Sequence, residues 1–280
     1  MTDTHVISRS FAQLSDGQIH YAECGPAGGE TVLLLHQTPR SWREFAGVLP
    51  ILGQRYRTIA MDTLGFGDSA RSADGTVSIE RWAAVAVELL DHLGIDRAHV
   101  VGHHTGGVIA VEVASSHHER IGGLVLSSTP FTNAEFRKVR AERAPIDEVE
   151  PADDGSHLTA LWGKRQGFYP PDRPDLLLAF VRDALVVMDD VEGGHTAVAT
   201  YRMEDTIGRV VASTLLIRAT DDPFAFPHGE ELREQLTNVA SIDMVDIEGG
   251  MVPLPDQLPE EFAATVLSFL DGLERKGSDR

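Results

Sequence analysis

The sequence predicts an α/β protein with a mainly parallel sheet covered by helices on both faces. Three observations carry this. Short continuous apolar runs, among them Thr31-Val32-Leu33-Leu34-Leu35, read as strands buried on both faces. Such runs alternate with stretches that are apolar at helical spacing, the rhythm of a parallel sheet. One stretch, Val100-Val101-Gly102-His103-His104-Thr105-Gly106-Gly107, reads as strand, tight turn and helix.

In chain order, Val6 to Leu14 and Gln18 to Glu23 alternate around Ser15-Asp16-Gly17, a hairpin signal. After a Gly/Pro loop comes the strand Thr31–Leu35. Ser41 is the expected N-cap of a helix running to about Leu52. Arg57 to Met61 is the next strand, followed by the Gly-punctuated loop Asp62 to Ser69. Ser78 to Leu93 keeps Ile79, Trp82, Ala83, Ala86, Leu89 and Leu90 on one side, and Gly94 ends that helix. The turn described above and a strand at Gly122 to Ser128 follow. The rhythm then breaks after Pro130. Residues 131–210 are more polar and helical without a core strand, with an acidic loop at Glu148 to Gly155 and a helix at Asp175 to Met188. Strands resume at Ser213 to Ala219 and Ile242 to Ile247. A helix at Pro259 to Leu273 and a frayed charged tail, Glu274 to Arg280, complete the chain. The expected organisation is one core from residues 1–130 and 211–280, with a helical cap inserted at 131–210.

Composition narrows the function. The balance of 43 acidic against 24 basic residues, formally −19, repels phosphate backbones and anionic lipid, so neither nucleic acid nor membrane is expected as a partner. The single cysteine, Cys24, permits no internal disulfide, which fits a reducing compartment. Met1 to Ser10 lacks the pattern of a signal peptide, and no apolar run approaches ~18 residues. The expectation is a cytoplasmic protein acting on a small molecule, with a homodimer left open.

The turn gives the chemistry. Glycines at both ends of Gly102-His103-His104-Thr105-Gly106 let strand and helix approach and lift the middle residue to the mouth of the sheet. The order of motifs resembles the α/β-hydrolase fold superfamily with a helical cap, and the likeness extends over nearly the whole chain. The motifs are His36-Gln37-Thr38-Pro39, Asp62-x-x-Gly65-Phe66-Gly67-x-Ser69, the Gly-x-x-x-Gly turn, Asp221-Asp222-Pro223 and Glu248-Gly249-Gly250-Met251. The resemblance implies a mostly parallel eight-stranded sheet. It also implies a nucleophilic Ser at the turn's apex, a His after the last strand and an Asp after the strand before it. Here the apex is His104, and Met251 stands where the family has its catalytic His. The acid survives as Asp222 by spacing, with Asp221 as the alternative if the register differs by one. The oxyanion hole of the family would fall on the backbone N–H groups of Gln37 and Thr105.

The paired changes read as a relocated imidazole. His104 is longer than a serine, and from the apex it can reach the space the missing His would fill. The expected result is a His104–Asp222 dyad in which the carboxylate fixes the tautomer and the other ring nitrogen is a general base. No cofactor is implied. A metal is not expected, because no carboxylate or cysteine joins His103 and His104 at ligand spacing. Around the dyad, His36, Trp42, His103, Trp162, His195, Tyr201 and Met251 are the candidate substrate-pocket residues. Some have structural readings too: His103 as packing beside the turn, His36 as a brace for the oxyanion loop, and the aromatics of residues 131–210 as that segment's own core. Hydrolysis of an ester or lactone, lyase, cyclase or isomerase chemistry with the same dyad, and binding without catalysis all remain open on these residues.

Overall fold

A computed structural model describes residues 6–72 and 74–278. The first five residues, on which part of the signal-peptide reading rests, lie outside the described residues. Eight strands form one sheet: β1 Ser8–Leu14, β2 Gly17–Cys24, β3 Thr31–Leu35, β4 Arg57–Met61, β5 Ala98–His103, β6 Ile121–Ser127, β7 Thr214–Ala219 and β8 Ile242–Ile247, in the order β1-β2-β4-β3-β5-β6-β7-β8. The first two strands are antiparallel, β2 pairs antiparallel with β4, and every pairing beyond is parallel. Helices α1 Leu49–Leu52, α2 Ile79–His92, α3 Thr105–Ser116, α4 Ala134–Ala141, α5 Ser156–Arg165, α6 Pro174–Val186, α7 Gly193–Thr200, α8 Gly229–Gln235, α9 Leu254–Gln257 and α10 Pro259–Ser278 complete it.

The two-residue period of a strand sorts the core. Along β3, Leu33 and Leu35 join one apolar cluster with Ile79, Trp82 and Leu89 of α2 and Val108 of α3. Val32 and Leu34 face the other way, into a cluster with Phe45, Leu49 and Phe262, Val266 and Leu270 of α10. All five β3 residues are buried, as a strand covered on both faces requires. Between β6 and β7, α5 and α6 build a smaller cluster around Leu161, Tyr169, Leu177 and Phe180, whereas Ala197 and Val198 of α7 join the first cluster. A buried charge cluster ties these helices to the sheet. Arg40, fully buried, donates to Asp183 of α6 at 3.0 Å and to Asp256 of α9 at 2.9 Å.

Two local expectations are corrected, and one helix was not expected. The helix expected from Ser41 to Leu52 is split into a 3-10 turn, Trp42–Phe45, and the single turn α1. Pro50, which has no N–H to donate, sits in the first turn of α1, and Gly47 lies so close to the Pro259 ring that a Cβ there would come within 2.9 Å. Ser41 still caps, accepting from Arg43 N at 3.4 Å. The expected frayed tail is instead the last turns of α10 as far as Ser278, where Glu274 accepts from the Tyr56 hydroxyl at 2.8 Å. Helix α8 has no counterpart in the sequence reading.

The turn between β5 and α3 fixes where the chemistry can be. His104 has φ 48° and ψ −113°, outside the regions open to ordinary residues, at a cost of about 1–3 kcal/mol. The surroundings hold it there. A Cβ on Gly102 would lie 2.2 Å from the Gly106 carbonyl oxygen, and one on Gly106 would lie 1.9 Å from that of Leu35. Replacing Gly106 with Ala forces β3 away from α3. The expected result is a loss of about 1–3 kcal/mol in a urea unfolding experiment.

Candidate active site

At the apex, the His104 ring turns toward the end of β7. Its Nε2 lies 2.7 Å from Asp222 Oδ2. The other Asp222 oxygen accepts from the backbone N–H groups of Phe224 at 3.0 Å and Ala225 at 3.2 Å. Asp222 is fully buried, whereas Asp221 is exposed and donates its backbone N–H to Gly250. Geometry therefore pairs His104 with the second aspartate. Burial pushes the Asp222 carboxyl up. The His104 imidazole and the two N–H groups outweigh that and hold it below the usual carboxylate range. An ionised carboxylate only accepts, so His104 Nε2 carries a proton, and in the neutral tautomer of the ring Nδ1 is the nitrogen with the lone pair.

His103 is locked behind it. The Val252 carbonyl, which can only accept, lies 2.9 Å from His103 Nε2, so Nδ1 accepts from the Ser127 hydroxyl at 3.0 Å. Burial, then the neighbouring His104, holds His103 well below the normal imidazole range. It stays neutral, with its ring edge-to-face against that of His104 at 4.7 Å.

The oxyanion expectation needs correction at one of its two positions. The Gln37 N–H is already used: it donates to Glu44 Oε2 at 2.9 Å, while the Gln37 side-chain amide donates to Glu44 Oε1. The next N–H, that of Thr38, reaches the Thr105 hydroxyl at 3.4 Å and borders the same cavity as His104. The Thr105 N–H opens α3, so it has no acceptor within its helix. The Thr105 N–H is thus the donor left without a helix acceptor beside His104, while the Thr38 N–H is engaged, at longer range, by the Thr105 hydroxyl. Gln37 contributes a side chain to the wall instead.

A cavity of about 690 Å³ opens over these groups. Of the expected pocket residues, His195 lines it and the other six do not. His36 is buried, with Nδ1 at 2.7 Å from the Gln37 carbonyl and Nε2 accepting from Thr63 N at 3.0 Å, so it braces two loops. Trp42 donates its backbone N–H to Asp62 and lies beneath Arg9 and Arg43. Tyr201 gives its hydroxyl to Glu112 of α3 at 2.6 Å. His103 faces Ser127 and Val252, as described, and Trp162 packs into the small cluster of α5 and α6. Met251 is anchored by its backbone, donating to Gln257 Oε1 at 2.7 Å. Sequence reasoning missed the residues that do line the cavity from α4 to α7 and from the loop after Asp222. These include Phe136 and Phe224; Phe168, one of the aromatics expected to line the pocket or to form that segment's own core, does line it and meets Phe224 edge-to-face at 4.5 Å between ring centres.

His195 does not stand alone. Its Nε2 lies 2.9 Å from Asp147 Oδ2, and Arg165 grips the same carboxylate through two nitrogens. Burial raises the Asp147 carboxyl, but Arg165 and His195 draw it well below its ordinary value. Asp147, Glu192 and His195 are close enough to share a metal ion. Arg165, however, already supplies a cation to Asp147, and Arg140 supplies one to Glu192.

Glu44 makes a pH test of this loop. Burial raises its carboxyl to about 7, against the opposing pull of Arg40 and Gln37. A carboxyl with a raised folded pKa favours the folded state while protonated. Its contribution is complete below about 4.5 and declines as pH rises through about 7. Glu44→Gln cannot ionise. Unfolding midpoints in urea should therefore show the variant gaining on the parent between pH 5 and pH 8; a constant difference would mean that Glu44 does not titrate in this range.

The family model for the alpha/beta hydrolase fold matches residues 30–250. Haloalkane dehalogenase 2 of Mycobacterium tuberculosis (strain ATCC 25618 / H37Rv) is 36% identical over 127 residues, 45% of this chain and 44% of that protein. The 2-hydroxymuconate semialdehyde hydrolase of Pseudomonas sp. (strain CF600) is 34% identical over 151 residues, 54% of this chain and 46% of that one. The matched stretch thus spans less than half the length of each relative. In fold, the enol-lactonase from Burkholderia xenovorans LB400 superimposes with a TM-score of 0.76 at 20% identity, over 94% of this chain and all of that one. With the sheet order and the strained turn in place, the chain belongs to the α/β-hydrolase fold family.

Proposed function

We propose that this protein is a cofactor-independent catalyst that hydrolyses an ester or lactone of a small, mostly apolar carbonyl compound, with residues 131–210 serving as the cap over its site. One observation carries the reading. The His104 imidazole spends one nitrogen on Asp222 and keeps the other, with its lone pair, at the apex of the turn beside the Thr105 N–H. The hydrolytic names among the relatives, such as the 2-hydroxymuconate semialdehyde hydrolase, favour the same reaction type.

In this mechanism His104 Nδ1 takes a proton from water as the oxygen adds to the carbonyl carbon. The resulting oxyanion is held by the N–H group of Thr105, and by that of Thr38 once it exchanges its 3.4 Å contact with the Thr105 hydroxyl for the oxyanion. Collapse breaks the acyl–oxygen bond, and the imidazolium returns its proton to the departing alkoxide. Asp222 stabilises the imidazolium while it lasts and keeps the ring oriented. The scheme needs no covalent acyl-enzyme, consistent with an apex that holds neither hydroxyl nor thiol.

The same apex favours a second reading, proton removal beside a carbonyl in a lyase or isomerase. It presents a base and two donors but no side-chain oxygen or sulfur nucleophile.

The deciding experiment is the pH–rate profile of the parent protein and of His104→Ala on a panel of small esters and lactones. Hydrolysis with a rising limb in the imidazole range, lost by on the order of 10²–10⁴-fold in the variant, is the expected result. Turnover retained in His104→Ala would overturn the dyad. Absence of turnover on the whole panel would favour the second reading. A serine-directed fluorophosphonate is expected to leave the protein unlabelled, and labelling would place a nucleophile elsewhere.

A further inference from the structure

The cavity wall reverses the charge of the chain. The protein carries 43 acidic and 24 basic residues. Among the charged Asp, Glu, Lys and Arg residues lining the cavity, however, Arg140, Arg143, Lys164 and Arg165 face only Glu135 and Glu231. Two of the four cations are accounted for. Arg165 is held by Asp147, and Arg140 lies 3.4 Å from Glu192. The other two are not. Lys164 reaches only the Pro145 carbonyl, at 3.4 Å, and Arg143 makes no ion pair among the described residues.

Their placement matters as much as their sign. Lys164 lies in α5 and Arg143 just beyond the end of α4, whereas His104 and Asp222 come from the ends of sheet strands. The same wall includes the apolar side chains of Phe136, Val139, Phe168 and Phe224. Arg143 and Lys164 thus border the cavity without an ion-pair partner among the described residues, with Glu135 and Glu231 as the carboxylates elsewhere on its wall. Anion recognition would use both: two cations at one side of a cavity attract a negative group, and their exposure leaves that attraction open to screening by salt.

We propose that the substrate carries an anionic group, a carboxylate, which Arg143 and Lys164 bind on the helical side while its carbonyl meets His104 on the sheet side. This rests on the active-site reading above and specifies its substrate class: half-esters or lactones of acids with an apolar chain between the two ends. The anion sets register, so that the reacting carbonyl is presented to Nδ1 rather than sliding along the apolar wall.

The test separates binding from turnover. The probes are monomethyl adipate, which carries one carboxylate, and dimethyl adipate, which carries none. Affinities are measured calorimetrically at low and high salt for the parent protein, for His104→Ala, and for the double variant Arg143→Ala/Lys164→Ala. Both cationic side chains are exposed, and neither makes an ion pair in the fold, so circular dichroism and unfolding midpoints serve as the check that the double variant is folded. The expected result is that the parent and His104→Ala prefer the half-ester by about 10–100-fold, that salt erodes this preference, and that the double variant loses it. A preference present in His104→Ala supports the anion site even if no turnover is ever found, so the two readings fail separately. Equal affinity for the two probes, no binding of the half-ester, or a preference that survives in the double variant would each overturn the proposal.

Discussion

The arrangement depends on a backbone that would not choose its own conformation. His104 is held at positive φ because β3, β5 and α3 close around it, and they can close only where Gly102 and Gly106 present no side chain. The strain at the apex is thus set against burial of strands such as β3, every residue of which is covered. It fixes the direction in which the ring leaves the chain. A longer side chain on a relaxed turn would have several rotamers available. Here the ring is confined between His103 on one side and Asp222 on the other.

Two buried carboxylates near the cavity are driven in opposite directions by their surroundings. Asp222 is ionised below its usual range because an imidazole and two N–H groups serve it. Glu44 is equally buried, but its partners do not offset the cost of desolvating its charge, and it rises to about 7. The first holds the His104 ring at 2.7 Å. The second anchors Gln37 and thereby withdraws one backbone donor from the place where an oxyanion would sit. The adjacent Arg40 cluster, which includes Asp183 and Asp256, joins the same loop to α6 and α9. The position of the helices above the site and the shape of the site below it therefore rest on one set of charges.

The sheet was legible because its signals are local. Thr31–Leu35 and Arg57–Met61 are strands with the bounds their apolar runs indicate, and Asp222 could be told from Asp221 by counting from Ala219. The dyad could be framed as a testable distance because two substitutions in separate motifs pointed to one displaced ring. The wall of the cavity was not legible. Its residues lie on α4, α5 and α7 without a motif, and which side of each helix faces the site is set by packing of those helices on one another. The aromatic candidates Trp162 and Tyr201 illustrate this. Residue type marked them as pocket-formers, yet packing and the Glu112 carboxylate claimed them. Gln37 failed for another reason. A buried glutamate seven residues on took its N–H, and sequence patterns do not foresee buried carboxylates.

The loop after β8 shows how a site can lose its usual base and keep its architecture. Met251 offers no proton chemistry, but its backbone is fixed by Gln257, and the next carbonyl, Val252, accepts from His103 and lies 3.5 Å from the Gln37 amide. The loop has become a main-chain clamp on the residues flanking His104. That change follows from moving the imidazole to the apex. One ring now spans the distance from the turn to the acid, so nothing on the loop needs to bridge it. On the proposed mechanism the reactive nitrogen is Nδ1, the one nearer the backbone. Base and oxyanion donor would then act on adjacent atoms of one substrate group, and that proposal requires a substrate held firmly in register. A cationic wall distant from the reacting carbonyl would supply that hold.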